Sequence, residues 1–186
     1  MKHGANIYKY AKKLGCHHNE ILDFSSNINM HHPEIHITPT QEMLVKYSDS
    51  TYSDLKKAIT TKYPLKKKQI ALYNGATSAI FELFKTLYIP RVYLYAPLYG
   101  EYEKSIPKNV KTIKINRFET LMKKPKKNAV VVFVNPSTPD GKYYDLEQLF
   151  KLWKKQNCTI VIDESFLDFE MQKSMINQID NYEKLY

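Results

Sequence analysis

Four short stretches carry the side chains best suited to chemistry. Asn74-Gly75-Ala76-Thr77-Ser78 places small residues just ahead of an apolar stripe at helical spacing, Ile80, Leu83, Phe84 and Leu87. Backbone N–H groups at such a helix start, with hydroxyls beside them, suit a phosphate. The spacing is not that of a P-loop, because no Lys follows the glycine. Asp163 ends the apolar run Thr159–Ile162, where a carboxylate can pair with a cationic group of a ligand. Tyr99, two residues after Pro97, offers a flat aromatic face, and Asn135-Pro136-Ser137-Thr138-Pro139-Asp140-Gly141 is a Pro/Gly turn after another apolar run. Taken alone, each has a plainer reading: an ordinary strand-to-helix turn, a carboxylate capping the next turn, an aromatic lid over a core.

The elements around these stretches place them together. Ala129–Val134 and Thr159–Ile162 show no polar alternation, as expected of strands buried on both faces of a parallel sheet. Between them, Leu146, Leu149, Phe150 and Trp153 form the stripe of a helix lying on that sheet, with Asp145 as its N-cap and Gln148 able to reach back. Further strands are expected at Gln69–Tyr73, Arg91–Tyr95 and Val110–Ile115, and further helices over His3–Leu14 and from Tyr52 through Ile59. Strands alternating with helices predict an α/β fold with a mostly parallel sheet flanked by helices. In such a sheet Asn74–Ser78, Pro97–Tyr102, Asn135–Gly141 and Asp163–Phe166 all lie on the carboxyl rim, where open α/β sheets bind ligands.

Composition narrows the class. A chain of 186 residues with 43% apolar content suits one core, and five glycines and nine prolines argue against a low-complexity linker. No apolar run approaches a membrane span, and MKHGANIYKYAKKLG has no apolar signal-peptide region. Cys16 and Cys158 form neither a disulfide framework nor a metal pair, which points to a reducing, cytoplasmic setting. The formal charge of +9 comes nearly all from lysine, with arginine only at positions 91 and 117. Nucleic-acid sites favour arginine forks and stacked aromatics, so a solvated surface is the preferred reading, in a field that favours anionic small molecules. The pairs His17-His18 and His31-His32 lack the spacing and carboxylate company of a metal site.

A phosphate seat, an aromatic face and an anion for a ring nitrogen are together what pyridoxal 5'-phosphate (PLP) requires, because its pyridinium must stay protonated to act as an electron sink. The sequence resembles the N-terminal half of a fold-type-I PLP enzyme of aminotransferase class I/II. The nearest branches are histidinol-phosphate aminotransferase and threonine-phosphate decarboxylase. The resemblance rests on HGANIYKYAKKLG, ILDFSSNIN, KYSDSTYSDLKKAI, NGATSAIFEL, PLYGEYE, NPSTPDG and DESFLDF, in family order from residue 3 to residue 169. It implies that Gly75, Ala76 and Thr77 hold the PLP phosphate, Tyr99 stacks on the pyridine ring and Asp163 pairs with the ring nitrogen. It implies that Tyr47 reaches across a homodimer interface to the other subunit's phosphate, that Asn29 lines the substrate pocket, and that His3, Gly4 and Asn6 close over it. Residues 1–48 would then be an N-terminal arm and small-domain contribution, and 49–186 the PLP-binding large domain.

The sequence departs from the family in three places. Thr138 stands where an Asn ordinarily bonds the PLP phenolic oxygen, and Phe166 where aminotransferases often carry Tyr, a change the decarboxylase branch tolerates. His31-His32 replaces the usual Pro-Leu-Gly, for which the sequence offers no account. The Schiff-base lysine of the family would lie beyond Tyr186, so the resemblance implies a truncated large domain, marginally stable and catalytically inactive alone. For the parent protein the expected activity is that of a PLP-dependent aminotransferase acting on an amino acid bearing a phosphate. The alternatives are decarboxylation of an O-phospho amino acid and, in another class, an inactive remnant or binding module. The expected partners are that small molecule and a second copy of the chain, with neither nucleic acid nor membrane.

Overall fold

The computed structural model describes residues 6–25, 34, 36, 38–137, 139–169 and 172–186. The chain divides into two compact units, residues 1–50 and 51–186. In the first, α1 (Ile7–Leu14) begins at Asn6, whose side chain accepts from the Lys9 amide at 3.1 Å, and ends at Gly15 in the left-handed conformation. A short α2 (Gln41–Val45) follows, capped by Thr40.

The second unit is built on a parallel sheet. Its strands are β1 (Arg91–Ala96), β2 (Lys111–Asn116), β3 (Val130–Val134) and β4 (Thr159–Asp163), in the order β2-β1-β3-β4. The continuous apolar runs behave as their composition requires: all five residues of β3 are buried, with side chains alternating between two cores. Val130, Val132 and Val134 join Ile80 and Phe84 of α4 (Ala76–Thr86) and Tyr102 of α5 (Glu101–Ser105) on one face. Val131 and Phe133 pack with Tyr95 and with Leu149, Phe150 and Trp153 of α6 (Glu147–Lys155) on the other. There the Trp153 indole donates to the buried Tyr95 hydroxyl at 2.9 Å. Burial, more than any other influence, pushes that phenol up to about 12.

Three expectations shift. Gln69–Tyr73 forms no strand: Lys67–Gln69 is a 3-10 turn, and Ile70–Tyr73 finds no ladder partner among the described residues. The outer side of β4 is taken by Lys184–Tyr186, while β2 pairs only with β1 among the described strands. The Ile160 amide donates to Lys184 O at 2.7 Å, and the Tyr186 amide to Ile160 O at 2.8 Å. The cap of α6 falls on Leu146, one residue late, with Asp145 Oδ1 accepting from the Glu147 amide at 3.0 Å. Finally, α3 (Ser53–Lys62) starts after Tyr52, which is left-handed and makes no side-chain cap. No helix among the described residues is long and apolar enough to cross a membrane.

Candidate functional site

Because all four strands run parallel, their carboxyl ends share one rim. Gly75 precedes α4 with φ +85° and ψ 155°, a backbone conformation open to glycine and strained for any other residue. It turns the chain so that the first-turn N–H groups of Ala76, Thr77 and Ser78 have no preceding helical carbonyl to meet. The Ser78 hydroxyl donates back to Asn74 O at 2.9 Å and pins the turn from behind. A Cβ on Gly75 would meet nothing within 4 Å, so the front of the turn is open space. The Thr77 and Tyr99 hydroxyls are hydrogen-bonded at 3.2 Å, which joins the candidate phosphate seat to the loop after β1.

Asp163, the last residue of β4, receives three hydrogen bonds. Ser165 donates to Oδ1 through its amide at 2.9 Å and its hydroxyl at 2.6 Å, and the Tyr102 hydroxyl donates to Oδ2 at 2.7 Å. Tyr102 is 2% exposed, and burial followed by the adjacent Asp163 carboxylate pushes its phenol far above the ordinary tyrosine value. It therefore keeps its proton and stays a donor. Glu164 faces the other way, accepting from Ser174 Oγ and from the Met175 amide at the start of the Met175–Asn181 3-10 helix.

The turn after β3 is locked from beneath. Asn135 is buried, and its side-chain amide both donates to Tyr144 O at 2.9 Å and accepts from the Tyr144 amide at 2.8 Å. Its backbone amide donates to Asp163 O at 2.8 Å, which joins this turn to the end of β4. Buried Arg117, just past β2, donates to Asp140 Oδ1 at 2.6 Å, while Tyr144 OH donates to Oδ2 at 3.1 Å.

Of the sequence-based candidates, Asp163 ends β4 and Tyr99 follows β1; Thr77, with Gly75 and Ala76 at the start of α4, is tied to Tyr99 by the hydroxyl bond, and Asp163 is tied to the same segment through Tyr102. Asn6 caps α1, and Tyr47 lies fully exposed after α2, both in the first unit. His3, Gly4, Asn29 and Thr138 lie outside the described residues. Sequence reasoning passed over Tyr102, Ser165, Asn135 and the Arg117–Asp140 pair. The available signals were the second Tyr of PLYGEYE, three residues after the first, and the isolated arginine ending the Lys111–Asn116 strand.

Across residues 11–185 the sequence matches the profile of the family "Aminotransferase class I and II". The chain belongs to this family. Among similar members, the adenosylcobalamin biosynthesis bifunctional protein CobDQ of Leptospira interrogans is 34% identical over 187 residues, covering 90% of this chain and 22% of that protein. Histidinol-phosphate aminotransferase of Clostridium beijerinckii is 29% identical over 75% of this chain and 41% of its own length. Threonine-phosphate decarboxylase of Salmonella typhimurium is 24% identical over 90% and 50%. The chain thus spans half or less of the length of these relatives. In fold it resembles the crystal structure of L-threonine-O-3-phosphate decarboxylase from Porphyromonas gingivalis, with a TM-score of 0.67 and 19% identity over 75% of this chain and 46% of that one. This family likeness agrees with the α/β fold, mostly parallel sheet and aminotransferase class I/II resemblance drawn from the sequence.

Proposed function

We propose that the rim is a PLP seat and that the whole protein acts on an amino acid or amine bearing a phosphate, with transamination as its reaction. The observation that carries this reading is Asp163. A carboxylate accepts at roughly four positions, and Tyr102 and Ser165 occupy three of them. Among the described residues no further donor meets the Asp163 carboxylate, which leaves one lone pair of Oδ2 for a cationic N–H. The donor set fits the cofactor: first-turn amides and a hydroxyl for its phosphate, a partly exposed tyrosine ring for its face, and a fixed anion for its ring nitrogen.

When bound there, PLP supplies an electron sink for the substrate's α-carbon. The chain's own residues do the rest. Of the Gly75-Ala76-Thr77 seat expected from the family, the Gly75 amide already donates to Tyr73 O at 3.1 Å, so Ala76, Thr77 and the neighbouring Ser78 bind the phosphate oxygens through backbone N–H groups and the Thr77 hydroxyl. The Tyr99 ring orients the pyridine, and Asp163 holds a proton on the ring nitrogen. Tyr47 contributes to the seat of a second subunit, and His3, Gly4, Asn6, Asn29 and Thr138 line or close the substrate side, roles that rest on the family resemblance.

Decarboxylation of an O-phospho amino acid is the second reading, favoured by Phe166, which offers no phenol to the cofactor. Equilibrium dialysis of the chain with PLP and with unphosphorylated pyridoxal tests the seat. Saturable binding of PLP, weakened by Thr77→Val, supports it; identical retention of both compounds overturns it. Incubating the whole protein with O-phosphothreonine or histidinol phosphate then separates the reactions, by release of CO2 or formation of a carbonyl product. A chain that retains PLP in a protein without turnover would mark a binding module.

A further inference from the structure

The geometry points to Tyr102 as the positioning residue for Asp163: its buried hydroxyl fixes which carboxylate oxygen, and which lone pair, is presented to the ring nitrogen of the cofactor. This inference rests on the PLP reading above. Tyr102 lies on the one-and-a-half-turn helix α5, and its ring is wedged in the core between α4 and the sheet, edge-on to Phe84 at 6.4 Å. An aromatic ring held this way has almost no rotational freedom, so its hydroxyl is a fixed point. Burial and the adjacent anion keep the phenol protonated, so the bond to Oδ2 has one direction only: tyrosine donates, aspartate accepts.

The Ser165 bonds cannot do the same work. Both fall on Oδ1 and both come from a residue two positions away, on the same local turn as Asp163 itself. They secure one corner of the carboxylate. Tyr102, sixty-one residues distant in sequence, secures the other. The spacing within PLYGEYE adds a second consequence. Tyr99 and Tyr102 are three residues apart, and Tyr99 OH bonds Thr77 at the phosphate seat while Tyr102 OH bonds Asp163 at the nitrogen seat. One short segment therefore carries the hydroxyls that bond both candidate seats.

The test uses Tyr102→Phe, which keeps the ring and removes the hydroxyl, with Asp163→Asn and the double variant. Titrations use PLP and its analogue in which C–H replaces the ring nitrogen. Loss of a hydrogen bond to a charged group predicts that Tyr102→Phe weakens PLP binding by about tenfold. It should leave the analogue unchanged, and it should have no further effect in the Asp163→Asn background. Thermal melts of the unliganded proteins verify folding; if Tyr102→Phe melts too low, the comparison is made at a temperature where the three variants and the unsubstituted chain are all folded. Equal weakening of PLP and the analogue would show that Tyr102 only packs, and would overturn the positioning role. Failure of the unsubstituted chain to bind PLP would instead defeat the seat itself, and the inference with it.

Discussion

Replacing Gly75 by alanine isolates the backbone strain that shapes the phosphate turn. The added Cβ meets no atom within 4 Å, so the cost contains no steric clash with the fold. What remains is conformational. At φ +85° and ψ 155°, Gly75 sits in a region that L-residues avoid, and the expected penalty is about 1–3 kcal/mol. Gly100 is the internal control. It has φ −65° and ψ −18°, ordinary helical values, and its Cβ also meets open space. Alanine there removes only unfolded-state freedom and should stabilise by roughly 0.4–1 kcal/mol. Urea unfolding of both variants against the unsubstituted chain reads the difference, which should be about 1.5–4 kcal/mol in favour of Gly100→Ala. If Gly75→Ala relaxes by turning its φ negative, the first-turn amides rotate and PLP binding falls as well. Equal stability of the two variants, with PLP retention unchanged, would refute the claim that this turn is held by a glycine-only conformation.

Other perturbations read the remaining supports. Tyr95→Phe leaves the buried Trp153 indole N–H without its acceptor and should destabilise by roughly 1–3 kcal/mol in the same unfolding assay. Asp140→Asn removes the carboxylate paired with buried Arg117 and should cost about 3 kcal/mol. Tyr99→Phe keeps the ring and loses the hydroxyl on Thr77, so PLP retention should drop while pyridoxal retention stays level. At low pH the exposed carboxylates of Asp168, held by Lys62 and Tyr63, and Asp180, held by Lys66 and Gln69, both lie below the ordinary value of 3.8. Their contribution is fully present above that value and disappears as pH falls further below it. Asp168→Asn with Asp180→Asn should therefore flatten the acid limb of a stability-versus-pH curve.

Much of this fold is legible in the sequence because its strands are buried on both faces. Val130–Val134 and Thr159–Ile162 have no polar alternation to confuse the reading, and the Leu146–Trp153 stripe has a helical period. Gln69–Tyr73 has the composition of a strand but pairs with no strand among the described residues, and pairing is a tertiary property that no local pattern carries. The same distinction divides the site. Gly75 and Asp163 announce themselves by residue type and position at element ends. Tyr102 does not, because its importance lies in a bond to a residue sixty-one positions away. Flanked by Glu101 and Glu103, Tyr102 reads as a surface residue, yet it is core, and its hydroxyl emerges at the carboxylate. Arg117 is similar, an isolated charge whose burial against Asp140 and the Tyr144 ring only the folded chain reveals.

The central claim is that one rim holds both ends of PLP. A crystal structure of the protein grown with PLP tests it most directly. The claim predicts phosphate oxygens on the amides of Ala76–Ser78, the Tyr99 ring against the pyridine face, and the ring nitrogen within hydrogen-bonding distance of Asp163 Oδ2. A cofactor bound with its ring nitrogen away from Asp163, or seated anywhere other than the carboxyl rim, would contradict it.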